Sequence, residues 1–173
     1  FDSTATQKIL DKAKIRVPAL EDYAWRLWDY WERHLDPDLS IDRSLKGAVK
    51  GKVVVITGGS SGIGEAAAIR VAEAGGKVLV VARDEEKLAD VRKKITDGGG
   101  FVKTYSCDIT DLAANDKLAK DILKEFGHVD VLVNNAGRSI RRSLALSYDR
   151  FHDFERTMQL NYFACVRLTM NLL

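Results

Sequence analysis

The chain has 173 residues, which is enough to bury the core of one ordinary domain with an extension. Hydrophobic residues make up 46% and charged residues 30%, a composition that excludes an intrinsically disordered chain. The net charge of +2 is too small to indicate nucleic acid or an anionic membrane surface as a partner.

Residues 1–50 differ from the rest and predict a helical extension. They hold all three tryptophans and both prolines. Apolar residues recur there at three- and four-residue spacing, which predicts an amphipathic helix that ends before Asp36-Pro37-Asp38. This aromatic stripe favours packing on a neighbouring domain or subunit over binding to a membrane surface, because the polar face carries both charge signs. Its members are Leu20, Tyr23, Ala24, Leu27, Trp28, Trp31 and Leu35.

From Lys52 onward, short β-branched runs alternate with helical segments. This alternation predicts a parallel sheet, so residues 51–173 are expected to form a Rossmann-type, doubly wound α/β domain. The runs are continuously apolar, as in strands that are buried on both faces. The predicted strands are Val53–Ile56, Val78–Val81, Phe101–Ser106 and Val129–Val133. The predicted helices are Glu65–Ala74 closed by Gly75-Gly76, Asp84 to about Thr96, Thr110 to Phe126, and Tyr148 to about Leu172, with Asp84 and Thr110 as N-caps.

The strongest motif joins the first strand to the first helix and reads Thr57-Gly58-Gly59-Ser60-Ser61-Gly62-Ile63-Gly64. Glycines between a buried strand and a helix are typical of a site that binds the phosphates of a dinucleotide. Gly58 would permit a tight turn, Gly62 would let the backbone approach a pyrophosphate, and Gly64 would let the helix pack closely. The helix N-terminus would then face the phosphates.

Four motifs together resemble the short-chain dehydrogenase/reductase family. They are the TGxxxGxG spacing of the glycine loop, Cys107-Asp108 after the third strand, Asn134-Asn135-Ala136-Gly137 after the fourth, and Met158-Gln159-Leu160-Asn161. The resemblance extends from Lys52 to Leu173. It implies a nicotinamide dinucleotide as cofactor and hydride transfer to or from a carbonyl or alcohol carbon.

The resemblance implies a role for each matching residue. Asp108 would accept a hydrogen bond from the adenine amino group, with Ile109 against the ring, and Asn134 would brace the central strand. Asn161 matches the family's catalytic asparagine, which holds a water in a proton relay; taken alone, it could equally be a polar residue satisfied within a helix. The pyrophosphate and ribose would be held by Gly58, Ser60, Ser61, Gly62, Ile63 and Gly64, and the nicotinamide side would be lined by Asn135, Ala136 and Gly137.

The end of the second strand predicts which cofactor is used. An acidic residue there would bind the ribose 2′-hydroxyl of NAD, whereas a cation would accept the 2′-phosphate of NADP. Arg83 can form a charge-assisted, bidentate pair with phosphate, and the neighbouring Asp84 is explained as a helix cap. The sequence therefore favours NADP(H) over NAD(H), although Ser61 stands where many NADP-preferring relatives carry a second basic residue.

The family's catalytic Ser and Tyr-x-x-x-Lys are not found in this chain. The Lys must follow the Tyr by one helical turn so that both side chains meet on one face. The residues four positions after the five tyrosines are Leu27, His34, Ile109, His152 and Val166. We therefore expect residues 1–173 to be the front part of a longer enzyme that binds cofactor without catalysing turnover. The absence of an initiating Met and an apolar edge at Val129–Val133 agree with this expectation.

Residues 137–144 and 148–156 are distinctive and resemble the C-terminal reductase module of bacterial multidomain fatty acyl-CoA reductases. Residues 23–35 resemble the linker that joins this module to an upstream extended reductase domain. This resemblance implies an NADPH-dependent reduction of a fatty aldehyde or acyl-CoA. Arg138, Arg141 and Arg142 could meet CoA phosphates or form a solvated loop, and His152 is interpreted as structural.

A rival hypothesis is a non-enzymatic nucleotide-binding or interaction module that docks through its Trp-rich helix. We also expect a homo-oligomer or docking to an upstream reductase domain, and no metal site. Cys107 and Cys165 are isolated, as is typical of buried thiols in a reducing compartment. No apolar run approaches the roughly 20 residues that cross a bilayer. These features predict a cytoplasmic protein.

Overall fold

The computed structural model describes residues 3–16, 18–34, 42 and 44–173. The chain divides into two compact units, with the division between residues 42 and 43. Within the described residues, the first unit is helical and the second contains every β-strand. None of the helices in these described ranges has the length and apolar character needed to cross a membrane.

The first unit contains α1 (Thr4–Lys12), which the sequence patterns did not predict, and α2 (Leu20–His34). The second helix confirms the amphipathic prediction; Leu35 and Asp36-Pro37-Asp38 lie outside the described residues. The side chains of Trp25, Trp28 and Trp31 are exposed on α2. Two of these indole rings, those of Trp28 and Trp31, contact each other with their centroids 5.5 Å apart.

The second unit is built on a parallel four-stranded sheet in the order β3-β2-β1-β4. Its strands are β1 (Val53–Thr57), β2 (Lys77–Ala82), β3 (Phe101–Ser106) and β4 (Val131–Val133). The predicted Rossmann-type α/β class is therefore confirmed. The helices of this unit are α3 (Leu45–Val49), α4 (Gly62–Glu73), α5 (Glu85–Asp97), α6 (Leu112–Phe126), α7 (Phe151–Met158) and α8 (Cys165–Leu172).

The sheet is buried on both faces because alternate residues of each central strand point to opposite sides. On one side, Val54 and Ile56 of β1 join a core with residues of α4 and α5. On the other side, Val53 and Val55 join a core with residues of α6 and α8. Each fully buried aliphatic side chain stabilises the fold by about 1.5–3 kcal/mol relative to its exposed state.

Two predicted helix starts differ from the structure. The helix after β1, α4, begins at Gly62 rather than Glu65, because the last glycines of the loop form its first turn. Asp111, not Thr110, caps α6: its carboxylate accepts hydrogen bonds from the amides of Ala113 and Ala114. The prediction that Asp84 caps α5 is confirmed by a hydrogen bond from the Lys87 amide.

The prediction of one uninterrupted final helix from Tyr148 to Leu172 is wrong in two respects. Tyr148 lies in a turn, and α7 begins at Phe151. Between α7 and α8, residues Gln159–Ala164 form a π-helical segment, called the π-segment below. A single widened turn hardly changes the spacing of apolar residues along a helix, so the sequence gives no signal for it. Such turns are often found at functional sites.

The fourth strand is shorter than predicted because a side chain replaces part of its ladder. One carboxylate oxygen of Asp130 accepts a hydrogen bond from the Val53 amide at 2.8 Å, and the other is 3.3 Å from the Lys52 ammonium group. The Asp130 amide in turn donates to the Val53 carbonyl at 3.0 Å. These contacts set the register of β4, which lies at one edge of the described sheet.

The short helix α3 belongs with the second unit, although the predicted boundary at residue 50 assigns it to the extension. Val49 is buried in the core that contains α4 and α5. The Gly51 amide also donates a hydrogen bond to the Gly75 carbonyl at 2.8 Å. The α/β unit of the structure therefore starts earlier in the chain than residue 51.

Acidification is expected to weaken the contact between α6 and α8. Hydrogen bonds from Arg167 and Asn171 lower the pKa of Asp116 to about 2. Because this pKa is below that of the unfolded chain, the carboxylate stabilises the fold above roughly pH 4, and the contribution is lost as the pH falls towards about 2. Urea unfolding followed by circular dichroism should show a falling midpoint over this pH range.

The variant Asp116→Asn should have a lower midpoint at neutral pH and a flatter decline on acidification. Asp121→Asn is the matched control, since the exposed side chain of Asp121 on the same helix forms no hydrogen bond or ion pair with any described residue. An equally steep decline in wild type and Asp116→Asn would contradict the assignment.

Candidate nucleotide-binding site

A cavity of about 940 Å³ opens at the carboxyl ends of the parallel strands. Thr57 at the end of β1, Ala82 at the end of β2 and Asn135 just after β4 contribute to its wall. In open α/β sheets this edge is where ligands bind, because the loops that follow the strands diverge there. The cavity lies wholly within the second unit.

The structure brings most of the predicted cofactor residues together around this cavity. Gly62 and Gly64 do not line it and act through the backbone conformation of the loop. Asn161 also lies outside the lining, next to Leu160, which is part of it. The predicted residues that line the cavity are Gly58, Ser60, Ser61, Ile63, Arg83, Asp108, Ile109, Asn135, Ala136 and Gly137.

The glycine loop packs against the segment after β4 more closely than any side chain would permit. A Cβ atom on Gly58, whose φ is +66°, would lie 2.8 Å from Cα of Ala136. A Cβ atom on Gly64 would lie 2.4 Å from both the Gly58 carbonyl oxygen and Nδ2 of Asn135. Gly58 thus has the left-handed conformation of the tight turn predicted for it, and the close packing predicted at Gly64 is present in the structure.

Gly62 meets a different requirement. Its φ is +58°, a left-handed conformation that glycine adopts without a steric penalty. A Cβ atom built there would have no other group within 4 Å, so the backbone at the start of α4 faces open space. The first amides of a helix lack partners within the helix and carry partial positive charge, which makes this terminus suitable for an anion.

Thr57 organises the loop from beneath, a role that the motif alone did not indicate. Its fully buried hydroxyl group donates to the Val133 carbonyl at 3.3 Å. The same oxygen accepts hydrogen bonds from the amides of Asn135 at 3.1 Å and Ala136 at 3.0 Å. One side chain thus joins the end of β1 to the end of β4.

The residue that braces the central strand is Asn135, and the role predicted for Asn134 is wrong. Nδ2 of Asn135 donates to the carbonyls of Thr57 at 3.0 Å and Gly58 at 3.1 Å. The exposed Asn134 instead donates to the hydroxyl of Thr169 on α8, at 3.2 Å. Both residues follow the end of β4, where the Asn135 amide donates to the Val133 carbonyl at 3.0 Å, and only the Asn135 side chain reaches β1 from this turn.

Asn161 uses both polar atoms of its side chain to hold the loop after β4. Its Oδ1 accepts a hydrogen bond from the Arg138 amide, and its Nδ2 donates to the Arg138 carbonyl, both at 2.8 Å. The side chain is satisfied by this loop rather than by its own helix. Asn161 therefore fixes the backbone beside Gly137 at the edge of the cavity.

Arg83 and Asp108 face each other across the cavity wall. Nη1 of Arg83 is 3.6 Å from Oδ2 of Asp108, and the arginine side chain is 68% exposed. Oδ1 of Asp108 accepts hydrogen bonds from the amide and hydroxyl of Thr110. Burial works to raise the pKa of Asp108, but these hydrogen bonds and the nearby guanidinium lower that pKa below its ordinary value.

Several cations of the cavity wall were not predicted as cofactor residues. Lys87 lines the Arg83 end, and its ammonium group lies 3.4 Å from the Asp84 carboxylate. Arg138 and Arg156 line the wall near Gly137, and neither has an ion-pair partner among the described residues. Spacing along the chain gave no signal for Arg156, since tertiary folding brings α7 to the cavity.

The three arginines that could meet CoA phosphates are separated by the fold. Arg142 pairs with Asp153, a buried carboxylate of α7, at 3.3 Å, so it anchors the loop instead of facing a ligand. Arg150 donates to the same carboxylate at 2.8 Å. Hydrogen bonding by Arg150 lowers the pKa of Asp153 against the opposing effect of burial. His152 lies 3.3 Å from this carboxylate, within a structural cluster.

The sheet, the glycine loop and the cavity define a dinucleotide-binding α/β domain. A family model described as short chain dehydrogenase matches residues 52–173, and the chain belongs to this family of oxidoreductases. The resemblance identified from the four sequence motifs is therefore confirmed.

Relatives include two fatty acyl-CoA reductases. That of Acinetobacter baylyi is 58% identical over 125 residues, covering 72% of this chain and 42% of the relative. That of Mycobacterium tuberculosis is 45% identical over 140 residues, covering 80% of this chain and 48% of the relative. The chain thus spans less than half the length of these relatives.

Solved structures of the family share the fold. A metagenomic short-chain oxidoreductase in complex with NADP has a TM-score of 0.68 and 32% identity, covering 72% of this chain and 56% of the other. An NAD⁺-bound xylitol dehydrogenase has a TM-score of 0.66 and 28% identity, covering 71% and 47%. Because the two structures hold different cofactors, fold similarity does not discriminate between NADP and NAD.

Substitution of Gly64 by Ala should destabilise the domain. The added methyl group would collide with Asn135 and with the Gly58 backbone, and we expect a cost of about 1–3 kcal/mol, as for overpacking in a core. The free energy of unfolding in urea measures this cost. In the matched control, Gly98→Ala, the new Cβ would meet its nearest neighbours at 3.5 Å, and stability should be nearly unchanged. Equal stability of the two variants would refute the proposed packing.

Proposed function

We propose that residues 44–173 bind NADP(H) and form the nucleotide-binding part of an NADP-dependent reductase. The observation that carries this proposal is the open N-terminus of α4 beside a cavity with four cations in its wall. A dinucleotide carries its negative charge on phosphates, which match a helix terminus and guanidinium groups. When bound, such a cofactor supplies a hydride for reduction of a carbonyl carbon.

The residues around the cavity fit an extended dinucleotide. The loop of Gly58, Ser60, Ser61, Gly62, Ile63 and Gly64 would hold the pyrophosphate with its amides and hydroxyl groups. Asp108 and Ile109 would receive the adenine; Oδ2 of Asp108 accepts no hydrogen bond from Thr110 and would be shared between Arg83 and the exocyclic amino group. Ala136 and Gly137 would lie along the ribose and nicotinamide, because they follow β4 on the opposite side of the loop.

We propose NADP(H) rather than NAD(H) because Arg83 lines the cavity at the end of β2, with Lys87 one helical turn further on. The position of Arg83 suits a 2′-phosphate, and Lys87 supplies the second cation that Ser61 does not. Asp108 screens Arg83 in the free protein. A bound phosphate would share that guanidinium and would receive charge-assisted hydrogen bonds.

For the substrate, we propose a long-chain fatty aldehyde or acyl thioester. The support is similarity to two fatty acyl-CoA reductases, over a portion of each. The resemblance assigns the acid/base work to a Tyr-x-x-x-Lys pair, which residues 1–173 do not contain. We infer that this chain holds cofactor, and that Asn161 contributes by fixing the Arg138 backbone at the cavity edge.

The remaining expectations about partners and compartment stay predictions. The exposed tryptophans of α2 are proposed to dock on another domain or subunit. Assembly into a homo-oligomer is likewise a proposal about contacts with a second chain. The two cysteines of the chain are free and partly buried, which favours a reducing compartment such as the cytoplasm.

The cofactor preference can be measured by fluorescence titration. We expect wild type to bind NADPH more tightly than NADH. Arg83→Ala should weaken NADPH binding about tenfold to a hundredfold, as for the loss of a hydrogen-bonded charge, and should leave NADH binding unchanged. Arg70→Ala is the control, because Arg70 is an exposed arginine of α4 that does not line the cavity. Equal affinity of wild type for NADPH and NADH would contradict the NADP assignment.

Turnover can be tested separately with a long-chain aldehyde. We expect residues 1–173 to bind NADPH without oxidising it, since no tyrosine of the chain is followed by a lysine at the fourth position. Absorbance of the reduced nicotinamide should stay constant after the aldehyde is added. Steady oxidation would show that other groups of this chain can perform the proton transfer.

A further inference from the structure

Asn115 of α6 is a polar side chain in the centre of the apolar core between the sheet and α8. It is fully buried. Its Nδ2 donates two hydrogen bonds to backbone carbonyls, that of Ile109 at 3.0 Å and that of Ala164 at 3.2 Å. Burying an amide is costly unless it is hydrogen-bonded, so this position calls for a specific reason.

The two partners determine which way the amide points. Both are carbonyl oxygens, so the NH₂ group must face them, and the opposite rotamer would bring oxygen against oxygen. Oδ1 has no hydrogen-bond partner among the described residues. All hydrogen bonds of the Asn115 side chain are therefore made by its NH₂ group, which links two segments that are far apart in sequence.

The first segment is the loop after β3. Ile109 lies in it between Asp108 and Thr110, and all three residues line the cavity. The second segment is the π-segment, which ends at Ala164. A second bond ties the same two segments together, since Nε2 of Gln159, at the start of the π-segment, donates to the Thr110 carbonyl at 3.2 Å. The π-segment is thus held to one loop at both of its ends.

Asn161 lies between these two attachment points. Its side chain grips the amide and carbonyl of Arg138, the residue after Gly137. A continuous chain of hydrogen bonds therefore runs from the loop after β3, through Asn115 and the π-segment, to the loop after β4. The widened turn is local, and a rotation of it by one residue would carry the Asn161 side chain away from Arg138.

We propose that Asn115 is a positioning residue for Asn161. By donating to Ile109 and Ala164 together, it sets the rotation of the π-segment relative to the cavity, and through Asn161 it sets the backbone at Gly137–Arg138. An apolar residue would fill the same space without this effect. The inference rests on the proposed function in one respect, which is that Asn161 and the cavity edge matter for binding the cofactor.

The test is hydrogen exchange of the Arg138 amide, resolved by NMR in the 173-residue protein. Asn115→Val removes both donors and introduces a compact, apolar side chain. We expect the Arg138 amide to exchange about fivefold to a hundredfold faster, relative to the slow amides of β1, because a buried carbonyl that loses its donor carries a penalty of that order. The β1 amides serve as the reference for any loss of overall stability.

Asn171→Val is the matched control. Asn171 also bridges α6 and α8, through a hydrogen bond of 2.7 Å to Asp116, but its side chain forms no hydrogen bond with the π-segment among the described residues. Its loss should speed exchange at the end of α8 and leave Arg138 at the wild-type rate. An unchanged Arg138 amide in Asn115→Val, or equal acceleration in both variants, would overturn the proposal.

A measurement on wild type covers the case in which Asn115→Val does not fold. At low guanidinium concentrations, the Arg138 amide and the side-chain amide protons of Asn115 should exchange through one common opening with the same denaturant dependence. Two separate openings would overturn the proposal. Neither experiment contains a cofactor, so its outcome is independent of whether NADPH binds.

Discussion

The site depends on one close contact between backbones, that of the glycine loop with the segment after β4. Gly58 and Gly64 leave no room for a Cβ atom on this side, and buried Thr57 and Asn135 join the two segments by hydrogen bonds. These contacts hold the first turn of α4 beside the cavity, with Gly62 and Ile63 exposed at its start. The parallel sheet supplies the frame, since both segments start from adjacent strand ends.

Charge is distributed unevenly around the cavity that this contact creates. At the end of β2, Arg83 is balanced by Asp108 and Lys87 by Asp84, whereas Arg138 and Arg156 near Gly137 have no such partners among the described residues. Anionic ligands would thus find cations at both ends and helix amides between them. An elongated molecule with phosphates in its middle fits this pattern better than a compact one does.

The two ends of the cavity are also connected mechanically, in our proposal, through the interior of the domain. Asn115 and Gln159 attach the π-segment to the loop that carries Asp108, and Asn161 attaches it to Arg138. Interiors are tightly packed, so a small displacement of one loop cannot be absorbed without moving the other. This arrangement gives a polar residue in an apolar core a function that hydrophobic packing cannot supply.

The sequence by itself determined the parallel α/β class, the four strands and ten of the residues that line the cavity, because buried β-branched runs and glycine spacing are local signals. It also placed the Asp84 cap. It could not determine that Asn135 rather than Asn134 braces β1, or that Arg142 pairs with Asp153, since each depends on which side chains meet across elements. Thr110 and Asp111 are both capping residue types, so only the local backbone of the structure decided that Asp111 caps α6. Tertiary structure likewise decided the π-segment, Arg156 at the cavity and the partners of Asn115, which no periodicity along the chain encodes.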